Sequence, residues 1–368
     1  MGDHEQKIVS RVTPLSSGPP AELQPRTEVQ QEQWIRRRVK GFEGTVDHLK
    51  VLLKQERSHY TPCMDYLSDI SSDKKAVDER HHQQEGSGDE PVDTVNEAWR
   101  RKLCEWCFEV VDHFNMEREV VSIAMNYLDQ IVAKRLESSD RPIAKREFQL
   151  VAVSSLYVAV KLHGEHGVLE AESDSRRLDI GVFVNLSRGF FQVETLEAME
   201  LSILFNLGWR LNPPTPLKFI SSLVRLIPSW TPAEYQPSFC QVSKAIFDIS
   251  MYLTELSVCV STFTFHSKNS VVAYAAILSA IDSLEETLPL PYDMRVHFLN
   301  NVAEATGLLP EMEQVRSTRN LLMEICPFIQ ERDVAALIMD DEGGKSSPVC
   351  VSHVVAEQEE ESRKRVRS

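Results

Sequence analysis

The sequence predicts an all-α protein of two helical bundles in tandem, flanked by disordered tails. Three observations predict it. Apolar residues recur at steps of three and four through most of residues 95–330, which gathers them on one face of successive helices. No segment carries a convincing period-two strand series. The run Asn212-Pro213-Pro214-Thr215-Pro216 splits the helical pattern in two, because proline cannot continue a helix and biases the residue before it to extended backbone.

Taken in order, residues 1–30 are polar and carry Pro14, Pro19, Pro20 and Pro25, the composition of a disordered tail. Residues 31–70 form an N-terminal helix region, with a helix near 33–55 whose Val46, Leu49 and Leu53 share one face. Residues 71–94 are charged and contain glycine and serine, as a linker does. The first bundle occupies 95–211. Val95, Trp99, Leu103, Trp106, Val110 and Phe114 make its first stripe, and Val120, Ala124, Leu128 and Ile131 its second. The third is QLVAVSSLYVAVKLHGE, residues 149–165. Its middle has almost no polar face, so it belongs at the centre of a core, yet it closes on Lys161. Residues 164–180 read as a long loop. Val182, Phe183, Leu186 and Phe190 predict a short helix, and Leu196, Met199, Ile203 and Leu207 the last one. The second bundle occupies 212–330, with helices over 217–226, 239–256, 270–284, 294–305 and 312–325. Residues 331–368 form an acidic tail, predicted disordered, that ends on SRKRVRS.

Composition narrows the function. The 368 residues suit two domains plus tails, and 42% hydrophobic content is enough for a real core. A net charge of −15 argues against nucleic acid as a partner of the whole chain, since phosphate recognition needs a positive surface. No apolar run reaches the roughly 18 residues that span a bilayer, so no membrane role is expected. The opening MGDHEQKIVS has neither the basic nor the apolar region of a secretory signal, and Gln6 breaks the myristoylation pattern. The seven cysteines form no framework. Cys104 and Cys107 make one C-x-x-C on a helical pattern, where reduced thiols filling a core are expected. Such thiols point to a cytoplasmic or nuclear protein. No P-loop, GxGxxG, GxSxG or HExxH occurs, so no catalytic residue and no cofactor is assigned. His163 and His166 in the loop, and His81 and His82 in the linker, are read as solvated side chains rather than metal ligands.

Four motifs, in order, carry a resemblance. WRRKLCEW at 99–106 and AMNYLD at 124–129 are similar to M-R-x-x-L-x-x-W and A-x-N-Y-L-D of the cyclin box. QLVAVSSLYVAVK at 149–161 resembles the third helix of that box, and EAMELSILFNLGWRLNPPTP at 197–216 its fifth helix and exit. LLKQERSHYTPCMDYL at 52–67 resembles the helix that precedes it. The resemblance covers about residues 49–219; beyond that the second box rests on helical pattern.

The resemblance implies tandem five-helix cyclin-box bundles and a regulatory role, not an enzyme. Cyclins bind a cyclin-dependent kinase and place its C-helix and activation segment in their active arrangement. It implies that Lys161 and Glu200 are the polar pair that meets the kinase. Leu162 and Trp209 match apolar kinase-facing positions, with a core role for Trp209 left open. Arg100 and Asp129 match an internal ion pair. The family's groove for substrate docking peptides corresponds to Trp99, Lys102, Leu103, Trp106, Glu109, Phe148 and Gln149, of which Lys102 departs from the usual aliphatic residue. Other departures are Leu162-His163-Gly164 in place of an acidic pair, the longer loop before Glu200, and Gln130 in place of an arginine. These bear on which kinase is bound. Two alternatives stand beside this reading: a cyclin-like interaction scaffold that activates no kinase, and a transcription-linked cyclin. Thr13-Pro14, Thr61-Pro62 and Ser347-Pro348 are candidates for proline-directed phosphorylation, and 36–38 and 363–365 are basic clusters suited to nuclear import.

Overall fold

The computed structural model describes residues 28–68, 95–138, 143–164, 179–228 and 236–326. The readings of the N-terminal tail with Thr13-Pro14, the linker 71–94 with His81 and His82, most of the loop 164–180 with His166, and the C-terminal tail with Ser347-Pro348 and 363–365 fall outside the described residues. The chain divides into an N-terminal unit, Met1–Glu43, and a second unit, Gly44–Ser368. Helix α1 (Glu28–Ser58) starts in the first; all side-chain packing below belongs to the second. No β-strand occurs among the described residues, and none of their helices is long and apolar enough to cross a membrane.

The first bundle consists of α2 (Glu97–His113), α3 (Glu119–Ser138), α4 (Lys145–His163), α5 (Ile180–Leu186) and α6 (Val193–Asn206). Asn96 starts α2 by accepting the Trp99 N–H at 3.0 Å, and Asp179 does the same for α5 through Val182 N–H at 3.0 Å. Helix α4 runs through the middle, packed by α3, α6, α2 and α5, and every residue from Val151 to Val160 is buried. Its alanines and serines let the neighbouring helix axes come close. Helix α5 is shorter than the 182–190 stripe suggested. Arg188 and Gly189 take positive φ of 53° and 71°, so the chain turns out of the helix and leaves Phe190 exposed.

Past the proline run, Thr215 caps α7 (Pro216–Leu223) by accepting the Lys218 N–H at 3.3 Å, with Pro216 at the first helical position, where its missing N–H costs nothing. A 3-10 turn (Val224–Leu226) follows, then α8 (Gln236–Cys259), α9 (Ser261–His266), α10 (Asn269–Ser283), α11 (Tyr292–Thr306) and α12 (Glu313–Ile325). Helix α10 repeats the part of α4: it is buried from Ser270 to Ile281 and packs on α7, α8 and α12. Helix α9 has no periodic signal in STFTFH. It is held from outside, by burial of Phe263 and Phe265 and by Glu97 Oε1 accepting the Ser261 N–H at 3.1 Å.

Helix α1 buries Leu49, Leu52 and Leu53, with Val46 half-buried beside them. Its Glu56 carboxylate reaches the start of α10, where it accepts the Ser270 N–H at 2.8 Å and hydroxyl at 2.6 Å. Cys104 and Cys107 are free and buried, and burial pushes both thiols well up, which fits the core-filling reading. Cys104 Sγ lies 3.5 Å from Cys259 Sγ of the second bundle.

Candidate functional site

Helix α4 delivers Lys161 to the surface at its carboxyl end, where a cation suits the helix dipole. Lys161 Nζ donates to Glu200 Oε1 of α6 at 2.8 Å. The Glu200 side chain is 15% exposed and that of Lys161 51%. The hydrogen bond to Glu200 raises the lysine pKa, so Lys161 stays charged at neutral pH. The lysine also lies 5.4 Å from the Tyr157 ring centroid.

The helix end is pinned. His163 Nε2 lies 2.7 Å from the Leu211 carbonyl oxygen, which also accepts from the Tyr127 hydroxyl. A carbonyl only accepts, so Nε2 carries the proton. His163 is therefore the last residue of α4 rather than a loop histidine, and it ties that helix to the exit from α6. Among the described residues, no group of three or more His, Cys, Asp or Glu side chains is placed to hold a metal.

Exposed apolar residues lie close to the pair in sequence. Leu162, next to Lys161, and Leu201, next to Glu200, are both exposed. Phe205, one turn beyond Leu201, is 70% exposed, and its ring meets that of Trp209 edge-on at 6.4 Å. Gly208 and Trp209 both take positive φ, 56° and 59°, which ends α6 and turns the indole outward. Trp209 is 64% exposed and so lies outside the core. Leu201 and Phe205 were not singled out from the sequence. Their signal was there: 201, 205 and 209 form a second stripe at steps of four, distinct from the buried Leu196, Ile203 and Leu207.

The second set of predicted residues is on α2 and α4. Trp99, Leu103 and Trp106 lie on successive turns of α2 and are half-buried, as is Gln149, while Lys102 and Glu109 are exposed. Lys145 Nζ sits 5.2 Å from the Trp99 ring centroid, which joins the two helices at this face. Phe148 does not belong to the surface: it is fully buried, 6.3 Å from Tyr66 between ring centroids, and is a core residue.

Arg100 and Asp129 meet as a fully buried two-pronged pair, Nε to Oδ1 at 2.9 Å and Nη2 to Oδ2 at 2.7 Å. The Tyr66 hydroxyl donates to Asp129 Oδ1 at 2.7 Å. Arg100 goes on to the second bundle, donating to the Val258 carbonyl and the Thr264 hydroxyl, each at 3.1 Å. The pair fastens α2 to α3 and also one bundle to the other.

Part of the chain is similar in sequence to known proteins. Residues 64–212 match the family model of the cyclin N-terminal domain. Cyclin-D3-2 of Arabidopsis thaliana is 26% identical over 241 residues, which cover 65% of this chain and 57% of that protein. The G2/mitotic-specific cyclin S13-6 of Glycine max is 27% identical over 59% of this chain and 41% of its own length. Cyclin-D4-2 of Oryza sativa subsp. japonica is 32% identical over 35% of this chain and 31% of its own length. The chain thus spans between 31% and 57% of the length of these relatives. A viral cyclin from Herpesvirus saimiri superposes only loosely, with a TM-score of 0.43 at 15% identity over 66% of this chain and 89% of that one. The matched stretch takes in α2 to α6 and the exit at Leu211, so it is residues 64–212 that are similar to a cyclin N-terminal domain.

Proposed function

We propose that this chain is a regulatory subunit that docks on a cyclin-dependent protein serine/threonine kinase and activates it, and that it is not itself the catalyst. The observation that carries this is the Lys161–Glu200 hydrogen bond at 2.8 Å, with exposed Leu162, Leu201, Phe205 and Trp209 on the same two helices and their exit. Exposed aromatics together with a polar pair have the make-up of an interface centre: the rings supply area, and the charges supply register.

The kinase reaction needs its Lys–Glu ion pair closed around ATP. A rigid surface that binds only the closed arrangement shifts the kinase population towards it. Lys161 donates to backbone carbonyls of the partner, and Glu200 holds the ammonium in place while doing so. The half-buried face of Trp99, Leu103, Trp106 and Gln149, with Glu109 at its end, is the candidate site for substrate docking peptides. Lys102 there carries its charge on an aliphatic stem that can lie along the apolar floor.

The test is recovery of a kinase from extract on the full chain, followed by a phosphorylation assay. Wild type recovers an active kinase; the Lys161→Ala, Glu200→Ala double variant recovers none while its circular dichroism stays helical. Equal recovery by the two chains would place the interface elsewhere. Recovery of a kinase that gains no activity would favour the scaffold reading.

A further inference from the structure

We propose that Thr61 is a phosphorylation site for a proline-directed kinase, and that its phosphate latches the segment after α1 onto the second bundle. The segment has the form such a kinase needs. Helix α1 ends at Ser58, Tyr66 is anchored to Asp129, and residues 59–65 between them carry no helix. Thr61 is exposed and is followed by Pro62. The other Thr-Pro and Ser-Pro dipeptides do not compete on the same footing. Thr215 is buried and caps α7, while those at 13, 231 and 347 lie outside the described residues.

Thr61 lines a cleft whose other walls come from both bundles: Asn126 and Gln130 of α3, and Ser267, Lys268 and Asn269 at the start of α10. Asn269 already donates to the Pro214 carbonyl at 2.9 Å, Gln130 to Asn126 Oδ1 at 3.1 Å, and Ser267 meets the Thr318 hydroxyl at 3.4 Å, each amide keeping a second N–H, while Lys268 adds an exposed ammonium, a donor that a phosphate takes. The one carboxylate lining the cleft, Asp129, has both oxygens committed to Arg100 and Tyr66. The Ser270 N–H at the tip of α10 is already held by Glu56, so the phosphate's partners are side chains, with Lys268 the principal one. Lys268 also acts on Glu56 from a distance, and a phosphate of charge near −2 competes for it.

In the reaction the Thr61 hydroxyl oxygen attacks the γ-phosphorus of ATP. The new Oγ–P bond forms as the bond from that phosphorus to the bridging oxygen breaks. ADP leaves, and the hydroxyl proton passes to the catalytic base of the kinase. The proposal does not depend on whether that kinase is the chain's docking partner.

The full chain is incubated with a purified proline-directed serine/threonine kinase and ATP, the sites are mapped by mass spectrometry, and amide exchange of residues 267–272 is compared before and after. Thr61 is expected to carry phosphate, and exchange in that stretch to slow about tenfold. Lys268→Ala should abolish the slowing and leave phosphorylation of Thr61 intact. The proposal is overturned if Thr61 stays unmodified while any other site or none is used. It is equally overturned if exchange is unchanged or faster after modification, or if the slowing survives in Lys268→Ala.

Discussion

Arg100 has no water contact, and its guanidinium is satisfied wholly by protein: Asp129, the Val258 carbonyl and the Thr264 hydroxyl. Burial alone would lower its pKa, but Asp129 outweighs that and raises it, so the arginine stays charged. Removing one member of such a pair leaves the other charged and buried. Arg100→Ala should therefore cost about 3–5 kcal/mol, read as a lower urea midpoint; a midpoint within error of wild type would show the pair to be dispensable. The pairing with Asp129 was legible, because both residues sit inside recognisable motifs 29 positions apart. The links to Val258 and Thr264 were not, since positions 158 and 164 residues away share no local pattern with Arg100. Glu255 is a half-buried carboxyl that no motif announced. Burial pushes its carboxyl up to about 7; Arg118, 3.3 Å away, opposes that and Asp112 adds to it. The unfolded chain titrates this group near 4.5, so between the two values the folded protein holds the extra proton. Its contribution to stability is then largest below the unfolded value and declines as pH rises through about 7. Glu255→Gln should flatten the urea midpoint between about pH 4.5 and 7, and an unaltered slope would assign it to other groups.

At the scale of elements, α4 and α10 explain why the fold reads so clearly in places. A helix buried on all sides needs apolar or small residues at every position, and that continuous run is visible without knowing what surrounds it. Helix α9 is the opposite case: six residues with no period, kept helical by Glu97 and by two phenylalanines in a core built elsewhere. The bend at Arg188 and Gly189 was missed for a similar reason, because Phe190 keeps the spacing of a helix that the backbone has already left. Helix α1 was legible as an amphipathic stripe, but its partner was not. Glu56 is 2% exposed and holds the first turn of α10, a residue 214 positions away. Glu56→Ala should leave the Ser270 N–H and hydroxyl unpaired in a buried place, at a cost of about 1–3 kcal/mol. The check is a thermal melt together with amide exchange at the start of α10; if neither changes, α1 is not what holds that helix end.

Over the whole molecule, the two bundles are joined by contacts of several kinds. Arg100 reaches Val258 and Thr264, Glu97 holds Ser261, Arg118 faces Glu255, and Cys104 touches Cys259. Within the first bundle α4 packs directly on α6, and that packing sets Lys161 beside Glu200. The charged half of the candidate site was legible from its motifs, while Leu201 and Phe205 became visible only when α6 showed which of its stripes faces outward. The most direct test of the account is the dissociation constant of the purified chain for the kinase it recovers, measured by calorimetry for wild type and for the Lys161→Ala, Glu200→Ala variant. Truncating the centre of an interface typically costs more than about 2 kcal/mol, so the account predicts binding weakened by at least about thirtyfold with the helical spectrum unchanged. An identical dissociation constant for the two chains would contradict it.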